Sequence, residues 1–68
     1  MGQSDHPFRI KALTHDYVCR IRFRDFEDAM GYARRNRLTG DVFGGKSYFV
    51  IVKLDDYGNE NSFDRWEI

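Results

Sequence analysis

The sequence predicts an α+β fold, in which a four- to five-stranded antiparallel sheet carries one α-helix packed on one face. Three observations lead to this class. Apolar and cationic residues alternate from Tyr17 to Arg24, a single helical stripe follows from Phe26 to Ala33, and residues 48–54 are mostly β-branched or aromatic. Taken in chain order, the segments predict the succession β-β-α-β-β-β.

Length and composition favour one small folded domain. The chain has 68 residues, including six Phe, four Tyr and one Trp, and aromatic side chains build a small core efficiently. Residues 7–68 are therefore expected to form a single domain. The polar residues 1–6 are expected to be a disordered N-terminal tail.

The charge balance and the single cysteine narrow the function classes. Eleven basic and eleven acidic residues give a formal charge of zero, so bulk charge predicts neither nucleic-acid nor membrane binding. No apolar run reaches the roughly 18 to 20 residues that a membrane span needs. Cys19 cannot form an internal disulfide and falls among inward-facing positions, which indicates a buried thiol in a reducing, cytoplasmic compartment.

The first two strands form a predicted hairpin. From Phe8 to Leu13, apolar residues alternate with Arg9 and Lys11, as in a strand with one buried face. Residues 14–16 supply a polar turn. In the second strand the apolar residues should point inward and the arginines outward: Tyr17, Cys19, Ile21 and Phe23 against Arg20, Arg22 and Arg24.

The segment after this hairpin is the one convincing helix. Asp25 is a predicted N-cap, because its carboxylate can accept the free amides of the first turn. Cations near the end complement the helix dipole, and Gly40 is predicted as the stop signal. The buried stripe has helical spacing and comprises Phe26, Ala29, Met30 and Ala33.

The second half of the chain supplies the remaining strands. A brief strand is predicted at residues 41–43. Gly44-Gly45 predicts a tight turn, which leads into a central strand over residues 48–54. Residues 55–61 predict a solvated loop. Residues 62–68 alternate again, with Trp66 and Ile68 expected inward and with Phe63, Arg65 and Glu67 expected outward.

One helix covers only one side of a sheet, so the opposite side, here called the open face, is predicted to meet water. Like charges on neighbouring strands repel, which favours an external polyanion or an acidic protein surface as partner. Phe49 and Ile51 are expected to add apolar contact area there. The predicted cations of the open face are Arg9, Lys11, Arg20, Arg22 and Arg24, joined by Lys53 and Arg65.

Other motifs have simpler explanations. Residues 40–47 match G-x-x-x-x-G-K-S, the phosphate-binding loop, but that loop follows a strand and begins a helix, and here the predicted order is reversed. A turn between strands is favoured instead.

His6 and His15 lack a second ligand at a metal spacing, and the acidic loop lacks the EF-hand offsets. Cys19 has no adjacent base. We therefore predict no catalytic residue, no metal and no cofactor.

The element order and size resemble those of small phage-encoded type I-F anti-CRISPR proteins. The likeness is carried by residues 25–29 continuing to Ala33, by Gly40-Asp41-Val42 at the start of the third strand, and by Asp64-Arg65-Trp66. This resemblance implies a phage protein in the host cytoplasm that blocks a CRISPR surveillance complex without catalysis. It adds Arg34 and Arg35 on the helix as candidate contact residues.

The sequence thus predicts a non-enzymatic interaction protein that docks a basic surface onto a host protein or ribonucleoprotein complex. The alternative is a module that binds single-stranded RNA or DNA, with phosphates on the arginines and bases stacked on the rings. Self-association as a homodimer, through edge strands or the open face, is the third interpretation.

Overall fold

The computed structural model of the chain describes residues 5–14 and 18–68. Four strands form one antiparallel sheet in the order β2-β1-β3-β4, with one helix against it. The α+β prediction is confirmed. The expectations for the turn at His15 and Asp16, for Tyr17 and for most of the N-terminal tail lie outside the described residues. The elements are β1 (Phe8–Ala12), β2 (Val18–Phe23), α1 (Phe26–Arg35), β3 (Phe49–Leu54) and β4 (Glu60–Glu67).

The pairing of the two central strands assigns their residues to two faces. Ile10 of β1 lies opposite Ile51 of β3, and both are fully buried beneath the helix. Arg9 lies opposite Val52, so this pair points to the other side of the sheet. The alternation predicted for the first strand is therefore confirmed, as is the central position of the run from Phe49 to Leu54.

The helix packs closely because its inner residues are small. Ala29 and Ala33 are fully buried, and half-buried Phe26 and Met30 close the core on either side. Cys19 and Phe23 of β2 are buried in the same cluster, as predicted. Ile21 was expected there too, but it is 45% exposed. The β1–β2 register shifts between Arg9 and Lys11, and this irregular edge pairing interrupts the inward alternation at Ile21.

Both helix ends differ in detail from the prediction. Asp25 is the N-cap residue, but its side chain makes no capping hydrogen bond. The helix ends at Arg35 rather than near Gly40. Arg37 has a left-handed φ of 59°, and the amides of Arg37 and Leu38 donate to the carbonyls of Arg34 and Ala33. This is the Schellman arrangement, with arginine in the position that usually holds glycine.

The brief strand predicted at residues 41–43 does not form, so the sheet has four strands. The Gly40 carbonyl instead accepts the amides of Phe43 and Gly45, and the chain runs through consecutive turns. Gly44 and Gly45 have φ values of 71° and 93°, which favour turns over an extended strand. The segment is closed by the buried Thr39 hydroxyl, which donates to the Asp41 carboxylate.

The helix in the described part of the chain has ten residues, and no helix there is long and apolar enough to cross a bilayer.

Candidate interaction surface

Three arginines lie in one line across the open face. The register places Arg22 of β2 opposite Arg9 of β1, Arg9 opposite Val52 of β3, and Val52 opposite Arg65 of β4. Neighbouring strands are about 4.8 Å apart, so this line crosses the sheet within about 15 Å. We call Arg22, Arg9 and Arg65 the arginine row.

A small apolar layer lies beneath these cations. Val50 and Val52 are fully buried and Leu54 nearly so, with Leu13 packed against them. The helix lies on the opposite side of the sheet, so it cannot cover this cluster. Arg9 lies opposite Val52 on this face, and long cationic side chains cover apolar neighbours with their aliphatic stems. The apolar residues of the open face are thus buried although the helix does not cover them.

Arg9 is the most constrained member of the row. It is half-buried, and its Nε atom is buried without a hydrogen-bond partner within the described residues. Its direct neighbour Arg22 donates from Nε to the His6 carbonyl at 3.1 Å, which is a neutral acceptor. The two arginines therefore lie opposite each other on adjacent strands, and neither forms an ion pair within residues 5–14 and 18–68, an arrangement that costs stability.

One cation of the open face is neutralised. Lys11 forms an ion pair with Glu60 at 2.5 Å. The sequence interpretation placed Glu60 in a loop, whereas it is the first residue of β4. Arg20 and Arg65 are exposed, and neither forms an ion pair within residues 5–14 and 18–68. Glu67 lies opposite Val50 on the same face, so the net positive charge of this face rests on the row and Arg20, reduced by one carboxylate.

Several predicted members of the surface lie elsewhere. Lys53 pairs with Phe8 in the β1–β3 register, so it points to the helix side, where its Nζ is 5.8 Å from the Phe8 ring centroid. Phe49 and Ile51 also lie on the helix side, because the register alternates strictly through β3. The expectation that these three join the open face is wrong.

The remaining predicted cations are exposed but do not join the row. Arg24 follows the end of β2 in a bend, and Arg34 and Arg35 lie in the last turn of the helix. Since the helix covers the opposite side of the sheet, the two helix arginines form a separate basic patch. The ten residues predicted to contact a partner therefore divide between the open face, the helix side, the helix end and the bend after β2.

Two other candidate sites have structural explanations. The segment that matches the phosphate-binding loop is followed by β3 and not by a helix, so it lacks the helix N-terminus that binds phosphate.

A depression of about 340 Å³ opens beside the β3–β4 turn, next to Asp55, Asp56 and Asp64. Asp55 Oδ1 already accepts the amides of Tyr57 and Asn59, which shapes the turn. Among the described residues, no group of three His, Cys, Asp or Glu side chains could hold a metal.

The sequence interpretation missed an aromatic cluster on the helix side. The Trp66 ring lies 4.9 Å from that of Phe26 and 6.2 Å from that of Phe8. Trp66 faces inward as predicted, yet it is 38% exposed. The alternation in β4 correctly indicated which face of the sheet Trp66 occupies. No sequence signal indicated that the helix does not extend over β4.

No protein-family model, curated protein or solved structure matches this chain. The residues of the open face are therefore the basis for the function proposed.

Proposed function

We propose that this protein is a small non-catalytic interaction domain that docks its arginine row and Arg20 onto an acidic surface of a macromolecular partner. The observation that supports this is the opposed pair Arg9 and Arg22, of which Arg9 has a buried Nε without a hydrogen-bond partner in the part of the chain that the structure describes. A buried, unsatisfied donor and a like-charge pair both destabilise the free protein. An acidic group from a partner would relieve the repulsion between the two guanidinium groups.

The chemistry of the row favours carboxylate or phosphate. A guanidinium group presents several donors in a planar fork that matches either anion with two hydrogen bonds. The arginines are spaced along one line on a rigid sheet, so a partner would meet donors already in position. Such preorganisation lowers the ordering cost of binding.

In its specific form, the proposal is an inhibitor of the phage type, which blocks a host protein or nucleoprotein complex by occupying an acidic or phosphate-bearing surface. The small size and the basic surface support this form, whereas the element order differs from the expected one because residues 41–43 form turns and not a strand. It would act by steric and electrostatic occlusion in the cytoplasm of the host cell, without chemistry of its own.

One observation favours a second candidate, direct binding of single-stranded nucleic acid. Phe63 lies two residues before Arg65 in β4 and is 92% exposed, so its ring is free to stack on a base. Phe49, the ring first expected to serve this purpose, packs against the core beneath the helix. The second candidate therefore depends on one exposed ring, where sheet modules that bind RNA stack two or three bases.

The test is affinity capture from a bacterial lysate with matched baits. We expect the wild type and Lys53→Met to retain one stoichiometric protein or complex, and Arg9→Met and Arg22→Met to lose it. Lys53 is the control because it is a cation on the helix side. With the purified partner, each substitution in the row should weaken binding by at least about 30-fold, as expected of hot-spot residues.

Two results would contradict the proposal. The first is capture that does not depend on Arg9 and Arg22. The second is binding of a single-stranded oligonucleotide alone, with an affinity that falls linearly on a logarithmic salt scale and with Phe63→Ala as the most damaging substitution. The second result would establish the nucleic-acid candidate instead.

A further inference from the structure

β4 is an edge strand, and its outer side pairs with no other strand in the part of the chain that the structure describes. The Ile68 amide donates to the Phe49 carbonyl at 3.0 Å, and the register continues with Trp66 opposite Ile51. Hydrogen-bonded and non-hydrogen-bonded pairs alternate in an antiparallel ladder. The backbone groups of Trp66 therefore face β3, and those of Arg65 and Glu67 point outward to the edge.

The side chains of this stretch are divided between the two faces. Arg65 and Glu67 lie on the open face, since they pair with Val52 and Val50. Both are exposed, and neither makes an ion pair within residues 5–14 and 18–68. Trp66 lies on the helix side with part of its ring exposed. The edge thus presents a cation, an aromatic ring and an anion in succession.

We propose that two copies of this chain pair antiparallel along β4, with the twofold axis at Trp66, and form one continuous sheet. In this register Arg65 lies opposite Glu67 of the second copy, and the same pair recurs across the axis. Both residues offer outward backbone groups, so each pair can form two main-chain hydrogen bonds. The two Trp66 rings meet at the non-hydrogen-bonded position, where opposing side chains are closest.

The charges select this register over its neighbours. Moving the axis to Arg65 would place arginine opposite arginine, and moving it to Glu67 would place glutamate opposite glutamate. Like charges directly opposite destabilise strand pairing. The proposed register also uses residues 64–68, so it largely avoids the irregular pairing between Val52 and Leu54 and needs no change in the strand.

The other edge of the sheet does not offer this complementarity. The polar residues of β2 are Arg20 and Arg22, followed by Arg24 after the strand, and no acidic residue lies between them. Two copies of β2 would oppose cations to cations or to apolar residues. Charged side chains of one sign protect a sheet edge from pairing with itself. A second copy therefore fits β4 and not β2.

The test combines molar mass with charge exchange. Wild-type protein should shift from 8.1 kDa to twice that mass in sedimentation equilibrium as its concentration rises to the millimolar range. Trp66 is the sole tryptophan, so its emission should shift to the blue over the same range. Arg65→Glu and Glu67→Arg should each weaken the dimer by on the order of tenfold or more, because like charges then face each other twice.

An equimolar mixture of the two single variants provides the decisive arm. In a mixed dimer two glutamates of one chain face two arginines of the other, so association should return to at least the wild-type level. Restored association also shows that both variants are folded. The double variant Arg65→Glu/Glu67→Arg should dimerise like the wild type, since the charges are only exchanged.

Three results would overturn the proposal. One is a wild type that stays monomeric throughout the concentration series. This result would overturn the proposal even if β4 paired with an unrelated extended peptide. Another is a dimer whose stability does not respond to the single substitutions. The third is a mixture that associates no better than its components. Arg9→Met, which tests the docking proposal, lies outside this edge, so the two proposals fail separately.

Discussion

Substituting Arg9 with methionine should make the free protein more stable. Methionine keeps an unbranched stem beside Val52 but removes the buried Nε donor, which has no hydrogen-bond partner among the described residues. A buried donor left unsatisfied costs about 1–3 kcal/mol, and a like-charge pair directly across two strands costs about 0.2–1 kcal/mol. Because Arg9 is only half-buried, we take the lower part of this range and expect a gain of about 1–2 kcal/mol.

The gain can be measured by thermal and urea unfolding. For a domain of this size, about 1 kcal/mol corresponds to about 4–8 °C in Tm, so Arg9→Met should raise Tm by about 5–15 °C. Arg9→Ala also removes the stem that covers Val52, so it should be less stable than Arg9→Met. Arg20→Met is the matched control, because Arg20 is an exposed cation of the same face, and it should change stability by less than about 0.5 kcal/mol.

The double variant Arg9→Met/Arg22→Met separates the two contributions. If repulsion between the guanidinium groups matters, the second substitution should stabilise less once the first is present. The reasoning is refuted if Arg9→Met lowers the free energy of unfolding, because the guanidinium group would then stabilise the free fold. It would also be refuted by equal stability of Arg9→Met and Arg9→Ala, which would mean that the stem covers nothing.

Two further predictions concern the helix end and the segment that follows it. Arg37→Gly should stabilise the protein by about 1 kcal/mol in urea unfolding, since Arg37 has a φ of 59°. Arg35→Gly is the control within the helix and should destabilise the protein by a similar amount. If both variants were less stable than the wild type, the assignment of the Schellman arrangement would be contradicted. The hydrogen bond from Thr39 holds the pKa of Asp41 below its ordinary value of 3.8. That stabilisation is present above this value and is lost as the pH falls through the lowered pKa. Thr39→Val should therefore be less stable than the wild type at pH 7, and the difference between their urea midpoints should become smaller in acid. A difference that stayed the same in acid would show that the Thr39–Asp41 hydrogen bond is not its cause.

The sequence predicted the sheet and the helix well because both rest on local periodicity. Alternation in β1 and the helical stripe from Phe26 to Ala33 are set by neighbouring residues, and the structure confirms both. The predicted strand at residues 41–43 failed for a local reason as well. Its apolar residues suggested extension, but the turn that begins at Thr39 and the two following glycines favour consecutive turns.

The candidate surface was harder to predict because it depends on register. In a run with apolar residues on both faces, such as β3, alternation does not show which side of the sheet a given residue occupies. Phe49 and Lys53 were assigned to the wrong face for this reason. The pairing of Lys11 with Glu60 joins residues 49 positions apart and has no local signal. Arg9 and Arg22 were assigned correctly, since each lies in a strand with one apolar face.

The two proposed interfaces meet at Arg65, and this has a physical consequence. Arg65 ends the arginine row and also faces Glu67 of a second copy in the proposed dimer, so the same guanidinium serves both. A dimer would partly neutralise the outer end of the row, whereas the charges of Arg9 and Arg22, which form no ion pair within residues 5–14 and 18–68, would not change. Docking of an acidic partner and dimerisation are then coupled through Arg65, and each should change the affinity of the other by the same factor. A partner that needs only Arg9 and Arg22 would bind monomer and dimer alike, while one that also needs Arg65 would favour the monomer.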